Sequence, residues 1–170
     1  AMLQEAQEKI LNLQTIQGDA VTITLTETFD AIFSSMMLHW LPNPREALQR
    51  WRTWLQPNGS MYVALLTEGS FQEWRDLCCS ADLLDGLWIM PPADFCNGLA
   101  THTKQEPISI IYKSAQDFIQ HLKRIGAATP RPDYKPIGKN KMEKLLASGN
   151  KPFPVTYNVL YVALTAPDNI

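Results

Sequence analysis

The chain has 170 residues, of which 45% are hydrophobic, 9% aromatic and 19% charged, with a formal net charge of −2. This composition excludes disorder, a large electropositive footprint for nucleic acid, and a membrane-crossing helix, because no apolar run approaches the roughly 18 residues that one needs. The 8 glycines are scattered, none closer than Gly59 and Gly69, so no glycine-rich phosphate or nucleotide loop can be built from them.

The chain opens in an amphipathic helix, with Leu3, Ala6, Ile10 and Leu13 at three- and four-residue steps. A short extended run, Leu13 to Gln17, closes on Gly18-Asp19. Val21 to Leu25 is β-branched and alternates with period two, which predicts a strand, and Phe29 to Phe33 is a second, more apolar one. The next helix has Asn43 as cap, Pro44 at its first position and Glu46 completing the capping box. Ala47, Leu48, Trp51 and Leu55 form its buried face, and Pro57-Asn58-Gly59 is expected to end it. Met61 to Leu66 is a near-continuous apolar strand of the kind covered on both faces.

Ser70 and Glu73 are expected to start another helix by the same capping logic, with Phe71, Trp74 and Leu77 inward. Residues 80 to 107 read as a helical, proline-punctuated stretch, and Ile108 to Tyr112 as a strand. Ser114 and Asp117 cap a helix that carries Phe118, Leu122 and Ile125 up to Gly126. A polar, basic loop from Arg131 to Lys141 leads into a short helix around Met142 to Leu146, and Val155 to Leu164 is a long final strand. Strand and helix alternate, which predicts α/β layers around a largely parallel sheet with the last strand antiparallel. No repeat, low-complexity tract or linker divides residues 1–170, so one domain is expected.

Three cysteines, Cys78, Cys79 and Cys96, lack C-x-x-C spacing, which argues against a disulfide framework and against a zinc site. No basic region followed by an apolar stretch opens the chain, which fits a reducing cytoplasm. Ala1 ahead of Met2 is compatible with a tag remnant and with excision from a longer chain.

Several stretches resemble the class I S-adenosylmethionine-dependent methyltransferases. They are Gly18-Asp19-Ala20, Phe29-Asp30-Ala31-Ile32-Phe33-Ser34-Ser35, Leu38-His39-Trp40-Leu41 and Leu55-Gln56-Pro57-Asn58-Gly59, where Asn58 replaces the first glycine of the family's L-x-P-G-G element. Glu68-Gly69-Ser70-Phe71 through Arg75, His121 to Ala127 and Pro154 to Tyr161 resemble, within that family, the malonyl-[acyl-carrier protein] O-methyltransferases of biotin synthesis. The resemblance implies an incomplete Rossmann-like sheet, strands 3 to 7 of the family order 3-2-1-4-5-7-6, with the last strand antiparallel. The family's first strand, its glycine-rich loop and the acidic residue closing its second strand would lie upstream of Ala1. The chain would then be the carboxy-terminal portion of such a domain.

The resemblance also implies a cofactor, S-adenosylmethionine, and site residues. Asp19 would accept a hydrogen bond from the adenine amino group with Ala20 backing the ring, although Gly-Asp is also a common turn. Ser34, Ser35 and Met36 would face the methionine part of the cofactor and the incoming acceptor, as expected at the carboxyl end of a parallel strand. His39 would flank the cofactor or serve structure; no general base is demanded, because a carboxylate already attacks a sulfonium and positioning supplies most of the rate. Arg75 could orient an acceptor carboxylate with its planar fork, or be a solvated helix residue. Lys135, Lys139, Lys141 and Lys144, with Arg131, could meet an acidic acyl-carrier protein, or be a solvated loop.

The expected parent reaction is methyl transfer to a carboxylate, a malonyl thioester, with cofactor binding by this chain alone impaired for want of the glycine loop. The competing expectation is a non-enzymatic domain that associates through an exposed sheet edge, Phe29 to Ser35, as a homo-oligomer.

Overall fold

The computed structural model describes residues 2–167. Strands β1 (Phe29–Ser35), β2 (Leu55–Leu66), β3 (His102–Tyr112) and β4 (Phe153–Thr165) form one sheet in the order β1-β2-β4-β3. β1 runs parallel to β2, and β4 runs antiparallel to both of its neighbours. The order and the antiparallel last strand match the 4-5-7-6 stretch that the resemblance implies.

Alternation along the strands sorts the core into two layers. Met61, Val63 and Leu65 pair with Leu164, Val162 and Leu160 on one face, where Leu38, Cys96 and the Leu48 and Trp51 side chains of helix α2 (Pro44–Arg52) cover them. Leu66, Val155 and Val159 lie on the other face, under helices α3 (Gln72–Ser80) and α4 (Ala115–Arg124). Phe118 of α4 is the hub of that second layer. Its ring centroid lies 5.3 Å from Tyr112, 5.6 Å from Phe71, 6.1 Å from Trp74 and 6.3 Å from Phe153. Helix α5 (Lys139–Ser148) follows the basic loop and buries Leu145.

The local stop and start signals hold at two helices. The Glu46 N–H donates to Asn43 Oδ1 at 3.2 Å and Pro44 opens α2; the Asp117 N–H donates to Ser114 Oγ at 3.2 Å and opens α4.

Four expectations are corrected. Val21 to Leu25 is no strand, so four strands form instead of five: the Thr22 and Ile23 N–H groups both turn back onto the Asp19 carbonyl, at 3.1 and 2.8 Å. Its β propensity has no ladder to join, and propensity alone does not hold a strand. Upstream, helix α1 (Met2–Lys9) leaves Leu3 exposed, and Ile10 beyond its end is exposed too.

Pro57-Asn58-Gly59 does not end α2, which stops at Thr53. The segment is an excursion within β2, where the register jumps from Phe29–Leu55 to Ala31–Ser60. Asn58 takes the left-handed conformation (φ 66°), which asparagine tolerates. A Cβ on Gly59 would lie 2.9 to 3.1 Å from the carbonyl oxygens of Gln56, Phe29 and Asp30, so only glycine fits.

Ser70 and Glu73 do not cap α3. Phe71 occupies the cap position with φ 61° and no side-chain hydrogen bond. Ser70 Oγ instead donates to the Thr67 carbonyl (2.8 Å) and accepts from the Asn158 N–H (3.0 Å), while the Glu73 carboxylate accepts from the Thr156 N–H (3.0 Å) and hydroxyl (2.6 Å). Both residues therefore stitch α3 to β4. Residues 81–101 are turns and irregular backbone rather than helix, with Gly86 and Gly98 at positive φ, and β3 begins at His102, well before Ile108.

Candidate active site

A cavity of about 450 Å³ opens at the carboxyl ends of the parallel strands β1 and β2, the position where ligands bind in sheets of this kind. Met36 enters it directly after β1, and a single turn of tighter helix, Leu38–Trp40, brings in His39 and Trp40. Phe71, Trp88 and Tyr157 close it from α3, the 81–101 loop and β4. The remaining wall is apolar, and none of its residues carries a charge.

His39 is 4% exposed, and its Nδ1 accepts the Leu66 N–H at 3.3 Å. Burial lowers its pKa to about 4, so the ring is neutral at pH 7. Trp40 and Trp88 meet edge to face with centroids 6.0 Å apart. The Tyr157 hydroxyl shares a 2.6 Å hydrogen bond with that of Tyr112, and burial followed by that bond raises its pKa.

Backbone strain marks the same cavity. Met36 (φ 52°) and Phe71 (φ 61°) both sit in the left-handed region, at about 1–2 kcal/mol each for side chains without asparagine's compensation. Strain of this kind persists where the surroundings impose it and clusters at functional sites.

Of the residues expected from sequence, Met36 and His39 meet in this cavity. Ser34 Oγ lies just before them, buried and without a partner, and Ser35 stands on the open face of the sheet opposite Ala64. Asp19 and Ala20 do not line the cavity. Asp19 Oδ1 accepts the Val21 N–H at 2.7 Å, and the Ala20 carbonyl accepts from Arg50 and from Trp51 Nε1, which fixes the segment against α2.

Arg75 lies outside the lining as well. Its Nη1 is 3.1 Å from Asp85 Oδ2 and its Nη2 donates to the Trp88 carbonyl at 3.2 Å. Lys135, Lys139 and Lys141 border a separate, shallower depression with Asp82. Arg131 pairs with Asp133 at 3.2 Å and Lys139 with Glu143 at 3.9 Å. No cluster suited to a metal ion occurs among the described residues. Burial pushes the Cys78 thiol up to about 12 and also raises Cys96, which favours the protonated thiol at both.

Phe71 is expected inward and Tyr157 falls in the Pro154 to Tyr161 motif, but no pattern assigns Phe71, Trp88 or Tyr157 to a site. Phe71 has a backbone that no residue type announces, and Trp88 comes from a stretch of weak periodicity. A signal for the rest did exist. The two late motifs, His121 to Ala127 and Pro154 to Tyr161, are far apart in sequence, yet they deliver Leu122, Ile125, Gly126, Ala127 and Tyr157 to one wall.

A methyltransferase-domain family matches residues 1–63. Two solved structures superpose on nearly all of the chain: a Bacillus halodurans protein described as a methyltransferase (TM-score 0.61, 12% identity, covering 97% of this chain and 78% of that one) and the YcgJ protein of Bacillus subtilis (TM-score 0.61, 14% identity, 98% and 77%). This is a class I methyltransferase fold. Sequence adds a closer likeness. The chain is 28% identical over 141 residues to the malonyl-[acyl-carrier protein] O-methyltransferase of Magnetococcus marinus, covering 78% of this chain and 52% of that protein. It is 29% identical over 136 residues to the bifunctional biotin biosynthesis protein BioCD of Bordetella avium, covering 78% of this chain and 29% of that protein. A malonyl-[acyl-carrier protein] O-methyltransferase of Halalkalibacterium halodurans aligns with 97% of the chain at 26% identity. The chain thus spans about half, or less, of the first two of these relatives.

The fold leaves one side of the sheet open. Among the described residues nothing pairs with the outer edge of β1. Phe33 is 76% exposed and stacks on Tyr62, which is 48% exposed, with centroids 5.4 Å apart. No helix among the described residues is long and apolar enough to cross a membrane.

Proposed function

We propose that the chain is the carboxy-terminal portion of an S-adenosylmethionine-dependent methyltransferase domain that methylates a carboxylate, a malonyl thioester on acyl-carrier protein in cytoplasmic biotin synthesis. The observation that carries this reading is the convergence of the stretches that resemble those of such enzymes, His121 to Ala127 and Pro154 to Tyr161, with Met36 and His39 on one largely apolar cavity. When bound, S-adenosylmethionine supplies an electrophilic methyl group on a sulfonium.

Residues of this chain fit that group. Ser34 Oγ, buried and unpartnered, leaves a hydrogen bond to be filled beside the strained Met36. Asp19 and Ala20 would serve the adenine end, and Ser35 and His39 would border the methionine end. The cavity walls exclude water and hold the acceptor, and that positioning is the chain's share of the rate. Arg75 acts through the Trp88 carbonyl, keeping the 85–88 segment over the cavity. The basic cluster from Arg131 to Lys144 offers an acidic carrier a complementary surface.

Without a glycine-rich loop, the chain alone binds the cofactor weakly. Calorimetric titration with S-adenosylhomocysteine checks this, and micromolar binding would overturn it. The activity is tested by fusing the upstream portion of the Magnetococcus marinus relative ahead of Met2 and following labelled methyl transfer to malonyl-acyl-carrier protein. Turnover by the fusion is expected; a folded, cofactor-binding fusion that leaves malonyl-acyl-carrier protein unmethylated would remove the acceptor assignment.

A second reading, a non-enzymatic domain that self-associates, is favoured by the unpaired β1 edge and the exposed Phe33–Tyr62 stack. Light scattering at high protein concentration decides it, since a strict monomer excludes pairing between copies.

A further inference from the structure

We propose that the Nε2–H of His39 is the donor that grips the acceptor, bonding one oxygen of a carboxyl or ester group whose remaining body is apolar. The word acceptor rests on the methyl-transfer reading; the binding site itself rests on geometry. The Leu66 N–H donates to His39 Nδ1 at 3.3 Å, so that nitrogen's lone pair is taken and the proton of the neutral ring sits on Nε2. Leu66 is the last residue of β2, and a main-chain donor on a central strand holds the ring in one orientation.

Of the other polar groups at the cavity, the Thr129 hydroxyl has no partner among the described residues, and the Trp88 indole and Tyr157 phenol tips are engaged. Trp88 Nε1 donates to the Thr129 carbonyl at 3.1 Å, and the Tyr157 hydroxyl is bound to Tyr112. The Arg75 fork is spent on Asp85 and the Trp88 carbonyl. A ligand entering this cavity therefore meets largely apolar walls, the Thr129 hydroxyl and the unclaimed Nε2–H held in place by Leu66, which favours a slender apolar body carrying an oxygen acceptor.

The Leu66 N–H of β2 and the Trp40 ring of its own turn contact His39, and the cavity it lines is shared with Trp88 and Met90 of the 81–101 loop, Leu122 of α4 and Tyr157 of β4. Tyr157 is the titratable one among them and is neutral; the Arg75–Asp85 pair stands behind Trp88, outside the lining. Nothing charged in the lining favours an imidazolium, so His39 stays a neutral donor across the neutral pH range. In methyl transfer the bound oxygen is held while the other attacks. A C–O bond forms as the C–S bond breaks, the electron pair goes to sulfur, and His39 neither gains nor loses its proton.

The test is nuclear magnetic resonance of the full chain with ¹⁵N-labelled histidine, using hexanoate and methyl hexanoate as probes. The neutral Nε2–H tautomer is expected from pH 5.5 to 8, with both probes shifting the Nε2 signal. His39→Phe should weaken hexanoate about tenfold, the loss of one hydrogen bond, and His39→Gln should recover part of it. An Nδ1–H tautomer, an imidazolium at pH 7, no saturable hexanoate binding, or equal affinity in a folded His39→Phe variant would each overturn the inference. The tautomer measurement needs no variant, so misfolding of one does not shield the idea. Hexanoate held by His39 in a fusion that never methylates malonyl-acyl-carrier protein would sink the functional reading alone; turnover with an unmoved Nε2 signal would sink this inference alone.

Discussion

Burial of His39 as a neutral base makes the fold lose stability in mild acid, and the amount follows from its environment. Its folded pKa of about 4 lies below the ordinary value of 6.5. Above pH 6.5 the ring is neutral folded and unfolded, and contributes no pH dependence. As pH falls from 6.5 towards 4, the unfolded chain takes up a proton that the folded chain refuses, so stability drops. At pH 4.5 the loss from this one group comes to about 2.5 kcal/mol, at about 1.36 kcal/mol per unit. Carboxylates titrate in the same window, so a comparison with a non-titrating variant is needed. His39→Gln serves, because its amide oxygen can still accept the Leu66 N–H. Urea unfolding at pH 7.5, 6.5, 5.5 and 4.5 should show the stability gap between the native chain and His39→Gln moving by about 2–2.5 kcal/mol in the variant's favour as pH falls. A gap that stays constant within about 0.5 kcal/mol over that range would refute a buried, neutral His39.

Phe118→Ala empties the hub of four aromatic contacts and should cost about 3–5 kcal/mol in urea unfolding, with no full compensation from its neighbours. Gly59→Ala drives a methyl into three carbonyl oxygens and should cost about 1–3 kcal/mol, whereas Asn58→Gly, at φ 66°, should change stability by less than about 0.5 kcal/mol; thermal unfolding of the pair distinguishes them. A double-mutant cycle on Arg75→Met and Asp85→Asn should return a coupling of about 1 kcal/mol, because the pair is partly buried and also fixes the Trp88 carbonyl.

How much was legible depended on how local the determinant is. The caps of α2 and α4 are written in four residues each: Asn43 and Ser114 accept the N–H three residues on, while the Glu46 and Asp117 carboxylates turn to the Asn43 side-chain amide and the Lys113 N–H. Ser70 and Glu73 carry the same spacing, yet their side chains reach Asn158 and Thr156 on β4, residues more than eighty positions away. A cap motif cannot reveal a competing partner that only the tertiary fold supplies. The Leu55–Gly59 segment fails for the mirror reason. Its turn residues predict a helix end after Leu55, but α2 has already stopped at Thr53 and the turn lies inside a strand, because Leu55 finds Phe29 before the excursion and Ser60 finds Ala31 after it. At the site, His39 and Met36 were reached through the resemblance and the strand-end rule. Phe71 was out of reach, because its left-handed backbone is imposed by the joint between β2 and α3.

The mismatches on the other side of the sheet share a single physical cause. Val21 to Leu25 has strand chemistry without a ladder, α1 has an apolar stripe without a floor, and β1 has a free edge with Phe33 in solvent. Ser34 Oγ, buried without a partner, lies on that same strand. The first three would be relieved by one further strand and covering layer beside β1, whereas the Ser34 hydroxyl needs a side-chain or ligand partner that a backbone ladder does not supply. The cavity around His39 opens at the carboxyl ends of β1 and β2, and most of its wall, including Leu66, Phe71, Leu122 and Tyr157, comes from the closed part. Under the methyl-transfer reading, the proposed cofactor residues then divide: Met36 and His39 line the cavity, Ser34 and Ser35 lie on the strand with the unpaired edge, and Asp19 and Ala20 lie in the turn held against α2.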